Sequence, residues 1–262
     1  MENVHAGWRR KLMKYIADTV DFQLEEPTVV TLGKFDGRHR GHQKLLHTME
    51  ELKETLGYAT AIFTFSTAPL SLVTGEAATV ITTSEERRHN MEKMGIDYLV
   101  EYPFTDDVRK MDPSVFVKDI LVKRMRAKAM VVGPDCSFGY KGAGNVELLR
   151  SLSKELGFEL YVIQKEKDHR RDISSTYIRE ELSLGNVAKA NELLGEPYAI
   201  HGIVVHGNHI GDWAFQQPIS SRRQTNVCPN SGSMYPESLH RENIIRELLI
   251  SAGNLRSMGI IR

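Results

Sequence analysis

The chain has 262 residues, with 34 basic side chains balanced by 34 acidic ones and a hydrophobic content of 41%. That is the make-up of a globular protein with one large or two small domains, and no Lys/Arg cluster marks nucleic acid as a primary partner. No apolar run approaches the roughly 18 residues of a membrane span, no signal peptide is expected, and two cysteines, Cys136 and Cys228, give no disulfide framework, so a reducing cytoplasm is the expected location.

In chain order, Met1 to Leu12 carries charges but no apolar stripe and reads as an upstream extension. Thr28 to Leu32, a β-branched run, suits a buried strand. A glycine-bearing loop follows from Gly33 to Gly41. An amphipathic helix then carries Leu45, Leu46, Met49, Leu52 and Leu56 on one stripe and ends at Gly57. His39 and His42 sit where loop becomes helix. A helix start offers unpaired backbone N–H groups and partial positive charge, and imidazoles three apart on it point the same way. The pattern therefore predicts a phosphate-binding turn with two imidazole donors. HxxH is also a zinc spacing, but a metal would leave Gly33, Gly37 and Gly41 unexplained and no third ligand is near in sequence.

Further strands are expected at Ala59–Phe65, Tyr98–Tyr102, 129–132 and 159–164. Thr83 and Glu86 form a capping box for a helix running to Gly95, and Asp112-Pro113 starts another, with Phe116, Ile120 and Leu121 on a helical stripe. A polar helix is expected from Asn145 to Leu156. Strands alternating with helices indicate a parallel α/β sheet with right-handed crossovers. Asp135 directly follows a strand, at the sheet edge where ligands sit, though it also suits a plain turn. Ser174 or Ser175 caps a helix that carries Arg179 on or near its first turn, where a guanidinium can grip phosphate in a fork. A closing helix spans 184–195, and Tyr198 to His206 starts a new strand.

Gly33 to His42, reading GKFDGRHRGH, resembles the HxGH signature of nucleotidyltransferases that attack the α-phosphate of ATP or CTP. Thr31 to Gly37 resembles one branch in particular, the FAD synthetase module of bacterial bifunctional riboflavin kinase/FMN adenylyltransferases. Three later blocks support it in the right order: Thr64-Phe65-Ser66 with Pro69; Gly133 to Gly139; and Ile173 to Arg179, reading ISSTYIR. Cys136 departs from the family's usual aromatic. The resemblance starts near Met13 and runs to Gly211. It implies a Rossmann-like strand order and transfer of AMP from ATP to FMN, giving FAD and pyrophosphate. It further implies His39, His42 and Arg179 as catalytic groups, with Gly33, Lys34, Phe35, Asp36, Asp135, Ser175 and Thr176 also at ATP. Thr64, Phe65, Ser66 and Phe138 would contact the flavin. Mg²⁺ would travel on the ATP phosphates, with no protein metal ligand. Two rivals are an HxGH enzyme with another phosphate acceptor, such as pantetheine phosphate or glycerol phosphate, and a non-catalytic flavin- or nucleotide-binding protein.

The expected organisation is an extension (1–12), an FMN adenylyltransferase domain (13–195), the start of a truncated riboflavin kinase domain (196–211), and a tail (212–262) read out of frame. In the family, the strand near Gly202 to Gly207 leads to R-x-L/I-G-F-P-T-A-N-I. Here Gly211 is followed by Asp212-Trp213-Ala214-Phe215-Gln216-Gln217-Pro218-Ile219-Ser220. Back-translated and regrouped by joining the last base of each codon to the first two of the next, Asp-Trp forces leucine and Trp-Ala forces glycine. The remaining codons permit F-P-T-A-N-I. The same offset from Arg246 to Arg256 permits G-I-A-N-I-G-x-K-P-T, like a later kinase-domain block. A tail of this origin has no selected hydrophobic pattern and is expected to stay largely disordered and to carry no riboflavin kinase activity.

Overall fold

A computed structural model describes residues 12–66, 80–202 and 246–250. The expectations for the extension, Pro69, Cys228 and most of the tail lie outside the described residues. Contacts divide the chain into two units. The first is Met1–Lys34, Leu45–Pro69 and Arg88–Gln164; the second is Phe35–Lys44, Leu70–Arg87 and Lys165–Arg262.

The first unit is built on a six-stranded sheet. Its strands are β1 (Lys14–Ala17), β2 (Thr28–Leu32), β3 (Ala59–Phe65), β4 (Tyr98–Tyr102), β5 (Ala127–Val132) and β6 (Glu159–Val162). They lie in the order β1-β4-β3-β2-β5-β6, and every pairing is parallel. A parallel sheet covered on both faces needs apolar, β-branched runs, and β2 to β5 are nearly all buried. β1 escapes the sequence pattern because it is a four-residue edge strand with two exposed residues. From β2 the chain builds outward through β3 to β4, then returns to add β5 and β6 on the other side. The switch point therefore lies at the carboxyl ends of β2 and β5, where open α/β sheets bind ligands.

On one face Val30, Phe63, Val100, Tyr102 and Met130 meet Phe116, Val117, Ile120 and Leu121, together with Leu149 and Leu152 of helix Val146–Leu156. Asp112 caps the segment before Phe116 as the sequence predicts, accepting from Ser114 and Val115 amides. Phe116–Arg124 then winds as a π-helix, a wider turn than the α-helix expected. Below the helix that starts at Arg40, Lys53 Nζ reaches Asp97 at 2.7 Å, and the same carboxylate accepts from the Thr60 amide and hydroxyl. Burial pushes the Asp97 carboxyl up, but Lys53 and Thr60 outweigh it and hold the group below its ordinary range.

The second unit gathers Ile81, Ile173, Tyr177, Ile178, Leu182, Val187, Leu193 and Leu194 into its own apolar cluster. The helix Ser175–Ser183 is capped by Ser174, whose hydroxyl accepts from Tyr177 N at 3.3 Å. The closing helix begins at Val187, not Leu184, because the preceding helix ends at Ser183 and Gly185 turns the chain at φ 78°. Asp168, in a two-residue hairpin arm, accepts from Tyr177 Oη at 2.8 Å and Lys189 Nζ at 2.8 Å, tying both helices to the hairpin. Of the strand expected over 198–206, residues 203–206 lie outside the described residues; Tyr198–Gly202 forms a strand that pairs antiparallel with Arg246–Ile250. The expected tail thus contributes one paired strand.

Candidate functional site

The second unit carries the histidine turn. The loop after β2 takes two left-handed steps, at Phe35 (φ 49°) and Gly37 (φ 71°). Glycine is required at 37 twice over, since a Cβ there would also lie 2.8 Å from Ile81 Cδ1. Phe35 is a buried aromatic residue held in a conformation that costs an L side chain on the order of 1 kcal/mol or more. Its ring lies 4.7 Å from that of His42, and His42 stacks on His39 at 3.7 Å. Gly41 admits the His39 ring, because a Cβ there would sit 3.2 Å from His39 Nδ1.

The hydrogen-bond partners fix how the two rings present themselves. The Gly37 carbonyl can only accept, so the 2.9 Å contact from His42 Nδ1 places a proton on that nitrogen. His39 Nδ1 faces the His42 amide at 3.3 Å and therefore accepts, so in the neutral ring the proton is on Nε2. Burial, reinforced by His42, lowers the His39 pKa to about 3. His39 is therefore an uncharged donor at neutral pH.

Asp36 ties this turn to its neighbours. Its Oδ1 accepts from the amides of Ile81 (2.8 Å) and Thr82 (3.0 Å), and its Oδ2 accepts from Arg179 at 2.6 Å. Its backbone carbonyl accepts from Ser175 Oγ at 2.5 Å, and Gly37 N donates to Thr82 Oγ1 at 3.1 Å. Arg179 also donates to Thr176 Oγ1 at 3.4 Å and is one-third exposed. The sequence blocks around His39 and Arg179, far apart in the chain, thus meet at Asp36. Sequence reasoning missed the contacts beneath them. Arg38 forms a two-pronged ion pair with Glu196, and Gln43 Nε2 donates to the carbonyls of Arg38 (3.0 Å) and Leu194 (2.8 Å). No spacing rule links residues some 150 positions apart.

The other expected site residues belong to the first unit. Gly33 and Lys34 leave the end of β2 and are exposed. Asp135 is also exposed, and its Oδ1 lies 3.1 Å from where a Cβ on Gly133 would be, so the carboxylate folds back over its own turn. Phe65 and Ser66 are half-buried at the end of β3. Thr64 is buried, and its hydroxyl has no partner among the described residues. Phe138 is buried as well: its ring lies 5.8 Å from Phe116 and presses on Gly144, where a Cβ would come within 2.3 Å. Phe138 is a core residue in this structure. Burial and then Asp135 push the neighbouring Cys136 thiol up to about 12, which leaves it unreactive. Among the described residues no three His, Cys, Asp or Glu side chains group to hold a metal ion, and no helix is long and apolar enough to cross a membrane.

A family model described as FAD synthetase matches residues 21–177. The chain is 35% identical over 188 residues to the bifunctional riboflavin kinase/FMN adenylyltransferase of Escherichia coli (strain K12), covering 71% of this chain and 60% of that protein. It is 32% identical over 195 residues to the protein of the same name from Listeria monocytogenes, covering 74% and 62%. The chain thus spans about 60% of the length of the first of these relatives. Among solved structures, a crystal structure described as a macrolide-efflux protein from Streptococcus pneumoniae superposes with a TM-score of 0.66 at 29% identity, covering 75% of this chain and 64% of that one.

Proposed function

The chain belongs to the FAD synthetase family, and from that premise we propose that it transfers AMP from ATP to FMN, giving FAD and pyrophosphate. The observation that carries this reading is the gathering of His39, His42, Ser175 and Arg179 around the Asp36–Gly37 loop. In the reaction a phosphate oxygen of FMN bonds to the α-phosphorus of ATP, and the bond from that phosphorus to the bridging oxygen of pyrophosphate breaks. No protein nucleophile is needed, so the chain's work is positioning and charge stabilisation.

The two histidines share that work. His39 offers Nε2–H as a neutral donor, and His42, its ring held by the Nδ1 contact with the Gly37 carbonyl, serves the phosphates as negative charge builds. Arg179, Ser175 and Thr176 hold the β- and γ-phosphates. Gly33, Lys34 and Asp135 serve the nucleotide, and Phe65 and Ser66 the flavin. Mg²⁺ carried on the ATP substrate would offset the charge of the leaving pyrophosphate, with no protein ligand assigned to it. Thr64 and Phe138, both buried, complete the set of residues assigned to the flavin. The chain acts in the cytoplasm and has no riboflavin kinase activity. Chromatography of reactions containing ATP, Mg²⁺ and either FMN, pantetheine phosphate or glycerol phosphate tests the reading. An adenylylated product from FMN alone is expected, and one from another acceptor in its place would overturn the choice of acceptor.

A further inference from the structure

We propose that Asp36 acts on the reaction through Arg179, as a positioning residue that aims the guanidinium, and is not itself a nucleotide ligand. This rests on the assignment of Arg179 to the polyphosphate of ATP.

The argument starts from what a carboxylate can do. Ionised, it only accepts hydrogen bonds, and the oxygens of a triphosphate offer it acceptors and like charge. A carboxylate at a phosphate site therefore has to face a cation or a donor. Asp36 does so on every side the structure describes. Two consecutive backbone amides, Ile81 and Thr82, converge on Oδ1 at 2.8 and 3.0 Å and fix the plane of the group. Ser175 Oγ holds the backbone carbonyl of the same residue at 2.5 Å. With the residue held at its side chain and at its main chain, Oδ2 is left pointing at Arg179 NH1, 2.6 Å away. The Asp36 side chain is 11% exposed and that of Arg179 32%.

Arg179 is thus the wetter partner. Thr176 takes one NH2 proton at 3.4 Å, and the guanidinium keeps further N–H donors in its rigid fork. Without Asp36 the long side chain would sample several rotamers, and the fork would be lost for part of the time. Asp36 sits between the left-handed steps at Phe35 and Gly37.

A double-mutant cycle on the full chain tests the proposal: D36N, R179Q and the pair, each read as ATP affinity by titration calorimetry and as kcat and KM for FAD formation. Asparagine keeps an oxygen for the Ile81 and Thr82 amides but loses the charge on Arg179. D36N should reduce kcat about 10- to 100-fold, as loss of an outer-shell orienting partner does, and should weaken ATP binding less. In the R179Q background the same change should have an effect of less than about twofold. A 10-fold or larger effect of D36N that persists without Arg179 would overturn the proposal. So would a D36N chain that no longer shows a cooperative urea transition, since the carboxylate would then serve the fold. R179Q with wild-type ATP affinity and kcat would overturn the assignment of Arg179 on which the proposal rests. A wild-type chain that makes no FAD contradicts the choice of reaction, and the cycle is then decided on ATP affinity alone.

Discussion

Acidification should destabilise this protein through His39. The ring is 7% exposed, and its pKa is lowered from 6.5 to about 3, first by burial and then by His42. Below pH 6.5 the unfolded chain binds a proton at this position that the folded chain refuses until about pH 3. The unfolded state thus holds more protons across that window, so stability falls as pH falls through it. Each pKa unit is worth about 1.36 kcal/mol, so at pH 5, one and a half units below the ordinary value, the loss is about 2 kcal/mol. With a urea slope of about 2 kcal/mol/M, the midpoint should drop by about 1 M between pH 7 and pH 5. Carboxylates also titrate on acidification, so the diagnostic quantity is a difference between two proteins. His39→Asn keeps an acceptor for the His42 amide and removes the titrating ring. Its urea midpoint should fall by about 1 M less than that of the wild type over the same change of pH. Equal pH dependence in the two would refute the claim that His39 is buried and neutral.

Three further outcomes follow from the same geometry. His42→Ala should cut FAD formation by about 10²–10³-fold, the cost of one preorganised donor, with a much smaller change in ATP affinity; near-normal turnover would remove His42 from the mechanism. Gly37→Ala should lower stability by about 1–3 kcal/mol in urea unfolding, because alanine must hold a positive φ while its Cβ meets Ile81; an unchanged midpoint would contradict the close approach. Riboflavin supplied with ATP and Mg²⁺ should remain unphosphorylated, as judged by flavin chromatography; FMN formation would show that the segment after Gly211 does not have the out-of-frame origin read from its codons.

The parts of the fold governed by local rules were legible in the sequence. The capping box at Thr83 and Glu86 forms as expected, with Thr83 N bonded to the Glu86 carboxylate at 2.7 Å. Asn145 caps its helix through the Leu148 amide, and Gly157 closes that helix in the left-handed region. Buried strands announced themselves by β-branched runs. The π-helix at Phe116–Arg124 did not, because Phe116, Ile120 and Leu121, spaced by four and five residues, fit either winding. β1 was silent because an edge strand exposes half its residues. At the site, the sequence singles out His39, His42 and Arg179, and the structure sets them around Asp36 and Gly37 through contacts that spacing does not name. Asp36 reads as an ATP contact, and the structure adds hydrogen bonds from Ile81, Thr82 and Arg179 to its carboxylate. Phe138 reads as a flavin contact, and the structure packs its ring over Gly144. Both concern where a side chain points within a tertiary network, which sequence spacing does not encode.

The central claim concerns which bond is made, and isotope tracing tests it most directly. The purified chain is incubated with FMN, Mg²⁺ and ATP labelled at the α-phosphorus, and the flavins are separated. Label should appear in FAD, with one pyrophosphate released per FAD, and His42→Ala should slow both together. FMN that stays unlabelled and unconverted while label enters another product, or ATP that remains intact at saturating FMN, would contradict it.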